Sequence, residues 1–272
     1  MVEPCAFFSV INNMENTVLV LLLLIILLFC LHQTTVEYFV ESDAIIYVMY
    51  HDEESYNTAK MFQKYEWARF QKLGNSIFFE NAFFPILKTK QGEWESKQYV
   101  GLVSYNIVKK QNLKRFPLRT IIDSAGDADV ITFFGYARQD LLSQATFMHP
   151  KFLDIWLNLL LKLGYKMEDI LSNRIPMFPC NCWMAKPDWM KRYVDFAVQA
   201  MELLEKDEGL RTLCYNDSGY RSNLSKGKLI EISGKPYYTY HPFIMERLPC
   251  FFFWVEGANI YSSNIGVPWS KY

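Results

Sequence analysis

The feature that most constrains this chain is an unbroken apolar run, VLVLLLLIILLFCL, from Val18 to Leu31. It lies inside a window from Asn16 to Val36 that carries no charge when His32 is neutral. A bilayer core is crossed by about 20 apolar residues, so this window spans one with some adjustment by its flanks. The rival reading is a cleaved secretory signal, which calls for a basic n-region and a small-x-small cleavage site. The segment before the run instead carries Glu3 and Glu15 with no Lys or Arg, and LHQTTVEYF lacks such a site. Residues 17–36 are therefore expected to form a retained transmembrane anchor, following a tail over 1–16 and preceding one large domain over 37–272. The side of the membrane stays open, because no Lys or Arg flanks the run until Lys60 and the positive-inside rule has nothing to count.

The chain's 272 residues leave enough behind the anchor for one α/β domain with a sizeable core. The 28 Lys and Arg balance 29 Asp and Glu, so no basic field is available to neutralise a phosphate backbone and nucleic acid is not an expected partner. Aromatic residues make up 17% of the chain, which suits either a well-filled core or a pocket where flat rings meet sugar or base faces. Six cysteines contain no CxxC pair, and no His is spaced for zinc, so buried thiols are expected in place of a metal cluster.

The periodicity predicts strands alternating with helices. AIIYVMY, ending at His51, reads as a buried strand, and residues 54–72 return apolar residues at helical spacing before Gly74 and a short strand, SIFF. QYVGLV and DVITFF read as further strands, and 150–163 and 187–205 as helices with proline in the first turn. HPFIMERLPCFFFW reads as a helix interrupted near Pro249. Residues 207–236, rich in Asn, Ser, Gly and Lys, read as a long loop. This order implies an α/β fold with a mixed, mostly parallel sheet flanked by helices and ligands at the strand C-terminal ends.

Three stretches, YVGLVSYN (99–106), NCWMAKPDWMKRYVDFAVQAMELLE (181–205) and HPFIMERL (241–248), together resemble the capsular-polysaccharide and large-virus glycosyltransferases that share a Gly-Leu-x-x-Tyr signature. The second is similar to that family's Met-x-Lys segment with its amphipathic helix, and the third to a late Glu-Arg-Leu motif. The resemblance covers about residues 44–255 and implies a GT-A-like nucleotide-sugar fold, a nucleotide-sugar donor and a glycan or other hydroxyl acceptor. This chain departs from the pattern after Gly-Leu, where the family's His and paired Arg are replaced by Ser104, Tyr105, Asn106 and Ile107.

Such a reaction needs a group to stabilise the departing diphosphate and, for inversion, a carboxylate to take the acceptor hydroxyl's proton. Many GT-A enzymes hold Mg²⁺ or Mn²⁺ with an Asp-x-Asp after a central strand. Here the uncharged Ser104, Tyr105 and Asn106 stand in that place, so weak dependence on Mg or Mn is expected. A literal Asp-x-Asp at Asp127 and Asp129 precedes its strand; it is either a polar turn or a fallback metal site. Asp52 and Glu53 follow the first strand and either touch the donor or begin a helix. Lys109, in a basic run reaching Arg115, either binds the diphosphate or forms a solvated face. Glu246, in FIMERLPCFFF, is the candidate base, since burial raises a carboxyl toward useful basicity; Arg247 is its neighbour as a structural or donor-binding group. His149 either faces substrate or caps a helix. The second functional reading is a membrane-tethered carbohydrate-binding or scaffold protein without turnover.

Overall fold

AIIYVMY is apolar along its whole length because the strand it forms is covered on both faces. In β1 (Ala44–Tyr50), Ile45, Tyr47 and Met49 enter one core cluster, while Ala44, Ile46 and Val48 enter a second. This period of two, buried on both sides, is what a strand inside a helix-flanked parallel sheet requires. The computed structural model of the protein describes residues 21–22, 24–26, 43–110 (without the side chains of 109 and 110), 116–137, 139–178, 180–221 and 224–263.

The other strands are β2 (Ala68–Lys72), β3 (Tyr99–Ser104), β4 (Val130–Thr132), β5 (Trp183–Ala185) and β6 (Ile260–Ser262), in the order β2-β1-β3-β5-β4-β6. β1 runs parallel to β2 and β3, β4 runs parallel to β6, and β5 is antiparallel to both β3 and β4. The fold is thus the expected mixed, mostly parallel α/β sheet flanked by helices, with β5 alone reversed among these strands. Gly101 of the Gly-Leu pair faces Met184 across the β3–β5 ladder. A Cβ there would come within 2.4 Å of the Met184 Cβ and 2.6 Å of the Trp183 carbonyl oxygen, so only glycine lets β5 sit at this spacing.

The larger core cluster gathers Trp94, Trp156, Trp183, Tyr193 and Phe251 to Phe253, and the smaller gathers Phe62, Trp67, Phe116 and Phe133. Burying each such side chain contributes about 1.5–3 kcal/mol. The helix Pro187–Lys206 starts with proline in its first turn and buries Met190, Tyr193, Val194, Ala197, Ala200 and Leu204 along one stripe.

Several local expectations are corrected. Residues 68–72 are not the end of a helix: the helix stops at Ala59, a 3-10 turn covers Lys60–Phe62, and ARFQK forms β2 at the sheet edge. With one strand neighbour and a single buried position, β2 leaves little alternation to read. SIFF is a turn leading into the 3-10 helix Phe79–Ala82, with the Phe78 N–H donating to Ser76 Oγ at 3.1 Å. Pro249 does not end its helix, which runs from His241 to Val255 with twelve buried residues; their burial outweighs the roughly 3 kcal/mol cost of an internal proline. Residues 207–236 hold two helices, Glu208–Cys214 and Lys226–Ser233, begun by the N-caps Asp207 and Ser225. Cys214 and Cys250 carry free, buried thiols.

The chain divides into two units, Met1–Glu41 and Ser42–Tyr272. Of the first, Leu21, Leu22, Leu24, Ile25 and Ile26 are helical and about half exposed. Among the described residues no helix is long and apolar enough to cross a membrane; apart from those five positions, the anchor expected over 17–36 lies outside the described residues.

Candidate functional site

The sheet order places β2 and β3 on opposite sides of β1, so the chain leaves β1 in one direction for β2 and later crosses back for β3. Open α/β sheets bind ligands in the crevice beyond the strand C-termini at such a reversal. There, a cavity of about 700 Å³ is lined by His51 and Asp52 after β1, by Ser104 at the end of β3, and by Tyr105 and Asn106 just after it. Because β5 runs backwards, the residues that precede it, Cys180 and Asn181, reach this same end. Glu54, Glu80, Glu246 from the helix His241–Val255, and Lys228 from the helix Lys226–Ser233 add charged groups to the lining.

Several of these polar groups are held by hydrogen bonds. Asp52 caps the helix Glu53–Ala59: its Oδ1 accepts from Ser55 N at 2.9 Å, and Ser55 Oγ accepts from Asp52 N at 2.8 Å. The Ser55 N–H, then its hydroxyl, hold the Asp52 carboxyl below its ordinary pKa. His51 Nε2 lies 3.4 Å from Glu80 Oε1, and the His51 ring meets Tyr105 edge-on at 6.5 Å. Burial alone would depress His51, but the hydrogen bond and charge of Glu80, joined by Asp52, outweigh it and raise its pKa above the ordinary value. Ser104 Oγ donates to Asn106 Oδ1 at 3.0 Å. Glu246 Oε1 accepts from the Cys180 N–H at 2.7 Å, and its Oε2 lies 3.8 Å from Arg247 Nη1.

Backbone strain collects around the same cavity. Phe79, Cys180 and Asn181 have φ of 52°, 71° and 44°, the only non-glycine positive values among the described residues, and all three line the cavity. Such conformations cost about 1–3 kcal/mol each and persist where surrounding structure imposes them. Two amides tie these turns together. Asn81 Nδ2 donates to the Phe78 and Pro242 carbonyls at 3.2 and 3.5 Å, and Asn181 Nδ2 donates to Asn81 Oδ1 at 2.8 Å. Asn181 Oδ1 is then buried with no hydrogen-bond partner among the described residues, a cost of about 1–3 kcal/mol. Phe79, Tyr220, Tyr238 and Phe243 form an aromatic wall, with Phe79 and Tyr238 stacked at 5.0 Å and Tyr220 edge-on to Tyr238 at 5.3 Å.

Not every candidate is here. Glu53 is exposed on its helix and does not line the cavity. Arg247 turns into the core, where Nη1 donates to the Phe243 carbonyl at 2.9 Å, Nη2 donates to Gln144 Oε1 at 2.7 Å, and the guanidinium lies 5.5 Å from the Phe152 ring. His149 is buried, its Nδ1 3.2 Å from the Ser218 carbonyl and its ring 4.0 Å from Phe243. Burial, with the Arg247 charge, pushes its pKa down to about 4. The Lys109 side chain and residues 111–115 lie outside the described residues. Asp127 and Asp129 sit at the opposite end of the sheet, before β4, where Lys186 Nζ bonds them at 2.7 and 3.2 Å and Asn259 N donates to Asp129 Oδ2 at 3.0 Å. No group of three or more His, Cys, Asp or Glu among the described residues is arranged to hold a metal ion.

Among the site residues left unassigned in the sequence are His51, Glu80 and Lys228. His51 had a signal, its position directly after a buried strand. Glu80 and Lys228 had none: Glu80 directly follows SIFF, read as a strand, and Lys228 lies in a segment read as a loop.

No protein-family model matches this chain, nor does any curated protein sequence. Among solved structures the chain is similar to the apo form of the WbbM bifunctional glycosyltransferase, at 13% identity and a TM-score of 0.46, over 82% of this chain and 45% of that one. The chain thus spans less than half of that protein, and a likeness at this level assigns neither activity nor site.

Proposed function

We propose that the protein is a glycosyltransferase with a GT-A-like fold that moves a sugar from a nucleotide-sugar donor to a hydroxyl of a glycan or other acceptor. The observation that supports this best is convergence. The Tyr of Gly-Leu-x-x-Tyr (Tyr105), Asn181 and Glu246 come from three stretches far apart in sequence, and they meet at one cavity over the β1–β3 reversal. In this reading the donor lies across the strand ends beside Asp52, Ser104, Tyr105 and Asn106. The aromatic wall receives a flat sugar or base face. Glu246, its Oε1 oriented by the Cys180 N–H, takes the proton of the acceptor hydroxyl as that oxygen attacks the anomeric carbon and the bond to the diphosphate breaks.

Ser104 and Asn106 carry no charge, so the proposal retains weak dependence on Mg²⁺ and Mn²⁺. It retains residues 17–36 as a membrane anchor. Incubating the purified full chain with a panel of nucleotide sugars and candidate acceptors, and measuring nucleotide release, tests the activity. Release from at least one donor is expected. Tight sugar binding with no release from any donor would leave the carbohydrate-binding reading in its place.

A further inference from the structure

Whatever donor enters the cavity, its diphosphate brings at least two negative charges into a lining that already holds Asp52, Glu54, Glu80 and Glu246. Water exclusion strengthens that repulsion, so cationic groups must face the phosphates. Two of the lining residues are basic, His51 and Lys228. Lys228 lines the same cavity as His51 and Asp52, and its charge works against protonation of His51 while favouring the Asp52 carboxylate. The Lys228 side chain is about one-third exposed, with Nζ 3.0 Å from Oε1 of the exposed Glu231. His51 is anchored from below: Nε2 reaches Glu80, the ring edge meets Tyr105, and its backbone N–H donates to Ser55 Oγ at 2.9 Å.

We propose that His51, anchored by Glu80, and Lys228 together form the cationic seat for the diphosphate of the nucleotide-sugar donor, in the place where related chemistry uses a divalent cation. The inference rests on the glycosyltransferase reading and adds the residues that hold its leaving group. A paired imidazolium and ammonium can make charge-assisted hydrogen bonds to phosphate oxygens without a metal. Glu80 has a definite part: as a carboxylate against the imidazole it favours the charged ring, and its effect with that of Asp52 exceeds the opposing effects of burial and Lys228. Glu80 is a positioning residue, while His51 and Lys228 touch the ligand. The groups facing His51 are thus Glu80, Asp52, Lys228 and Tyr105, and the seat weakens as pH rises and the imidazole loses its proton.

The test is calorimetric titration of the solubilised full chain with UDP, UMP, GDP and GMP in excess chelator at pH 6 and pH 8. For at least one base, the diphosphate is expected to bind about tenfold or more tighter than the monophosphate at pH 6, with the advantage shrinking at pH 8. His51→Gln should lose both the advantage and its pH dependence. Lys228→Met, at a partly exposed position, should weaken binding similarly at both pH values. Glu80→Gln should move the loss of binding to lower pH, a shift that a merely structural residue would not produce. Near-UV circular dichroism checks that each variant is folded. Unchanged diphosphate affinity and pH dependence in folded His51→Gln would overturn the seat while leaving the glycosyltransferase reading intact. Binding that vanishes in chelator and returns with Mn²⁺ would overturn it in favour of a metal. No nucleoside diphosphate binding under any condition would overturn the seat and the donor reading together.

Discussion

Two acidic clusters lie at opposite ends of one sheet, and they differ in what their carboxylates face. Before β4, Asp127 and Asp129 share a single ammonium, Lys186, and Asp129 also takes the Asn259 N–H, so this cluster ties together the end of β5 and the starts of β4 and β6. Burial works against ionisation of Asp129, but the Asn259 N–H and Lys186 outweigh it and keep its pKa low. Beyond β1 and β3, Asp52, Glu80 and Glu246 surround a cavity, each oriented by a hydrogen bond, amid strained backbone at Phe79, Cys180 and Asn181. Carboxylates thus serve cohesion at one end of the sheet and line an open cavity at the other. The comparison teaches that an Asp-x-Asp string carries little meaning until its place relative to the strand is known.

The sharpest way to break the comparison is at Glu246. Glu246→Gln keeps an oxygen for the Cys180 N–H but cannot accept a proton, so transfer should fall about 10²–10⁴-fold with donor affinity unchanged; nucleotide release and calorimetry on the same sample check this. Next comes Gly101→Ala, which forces β3 and β5 apart between the two ends. It should cost about 1–3 kcal/mol or more, seen as a lower urea midpoint with loss of nucleotide binding.

The cavity and core histidines should respond to pH in opposite senses. His51, with its folded pKa raised, contributes stability that is full below its unfolded value of about 6.5 and is lost as pH rises through the folded value. His149, depressed to about 4 by burial, contributes stability that is full above about 6.5 and is lost as pH falls from there toward 4. His241 is depressed further, to about 3, by burial, yet Glu205 Oε1 lies 3.0 Å from its Nε2 and favours the charged ring. The ion pair makes His241 the poorer probe, and His149 the cleaner one. The urea midpoint should therefore drop between pH 7 and pH 5, and His149→Gln should flatten that slope.

The smallest effect belongs to the opposite end. Lys186→Met should cost about 1 kcal/mol, because the pair is open to solvent and screened, and should leave nucleotide binding untouched. A binding defect in this variant would erase the functional difference between the two ends.

Much of the fold was legible because burial on both faces left unmistakable strings, AIIYVMY and YVGLV, and because Pro187 opens a helix whose apolar stripe repeats cleanly. What escaped has a common cause. ARFQK is an edge strand with one buried residue, and the helices in 207–236 are short and polar, so neither buries enough to print a period on the sequence. The same applies to the site. Tyr105, Asp52 and Glu246 stand in motifs or directly after a strand, whereas the His51–Glu80 pair spans 29 positions, and Lys228 joins it only when its helix is in place.

The central claim is that the donor occupies the strand C-terminal cavity and not the Asp127–Asp129 end. The most direct measurement is photocrosslinking of the full chain with a photoreactive analogue of the nucleotide sugar identified by the release panel, followed by peptide mapping. The account predicts labelled peptides containing residues 51–58, 104–106 or 220–246, with labelling suppressed by unlabelled donor. Suppressible labelling confined to residues 127–129, 186 or 259 would contradict it.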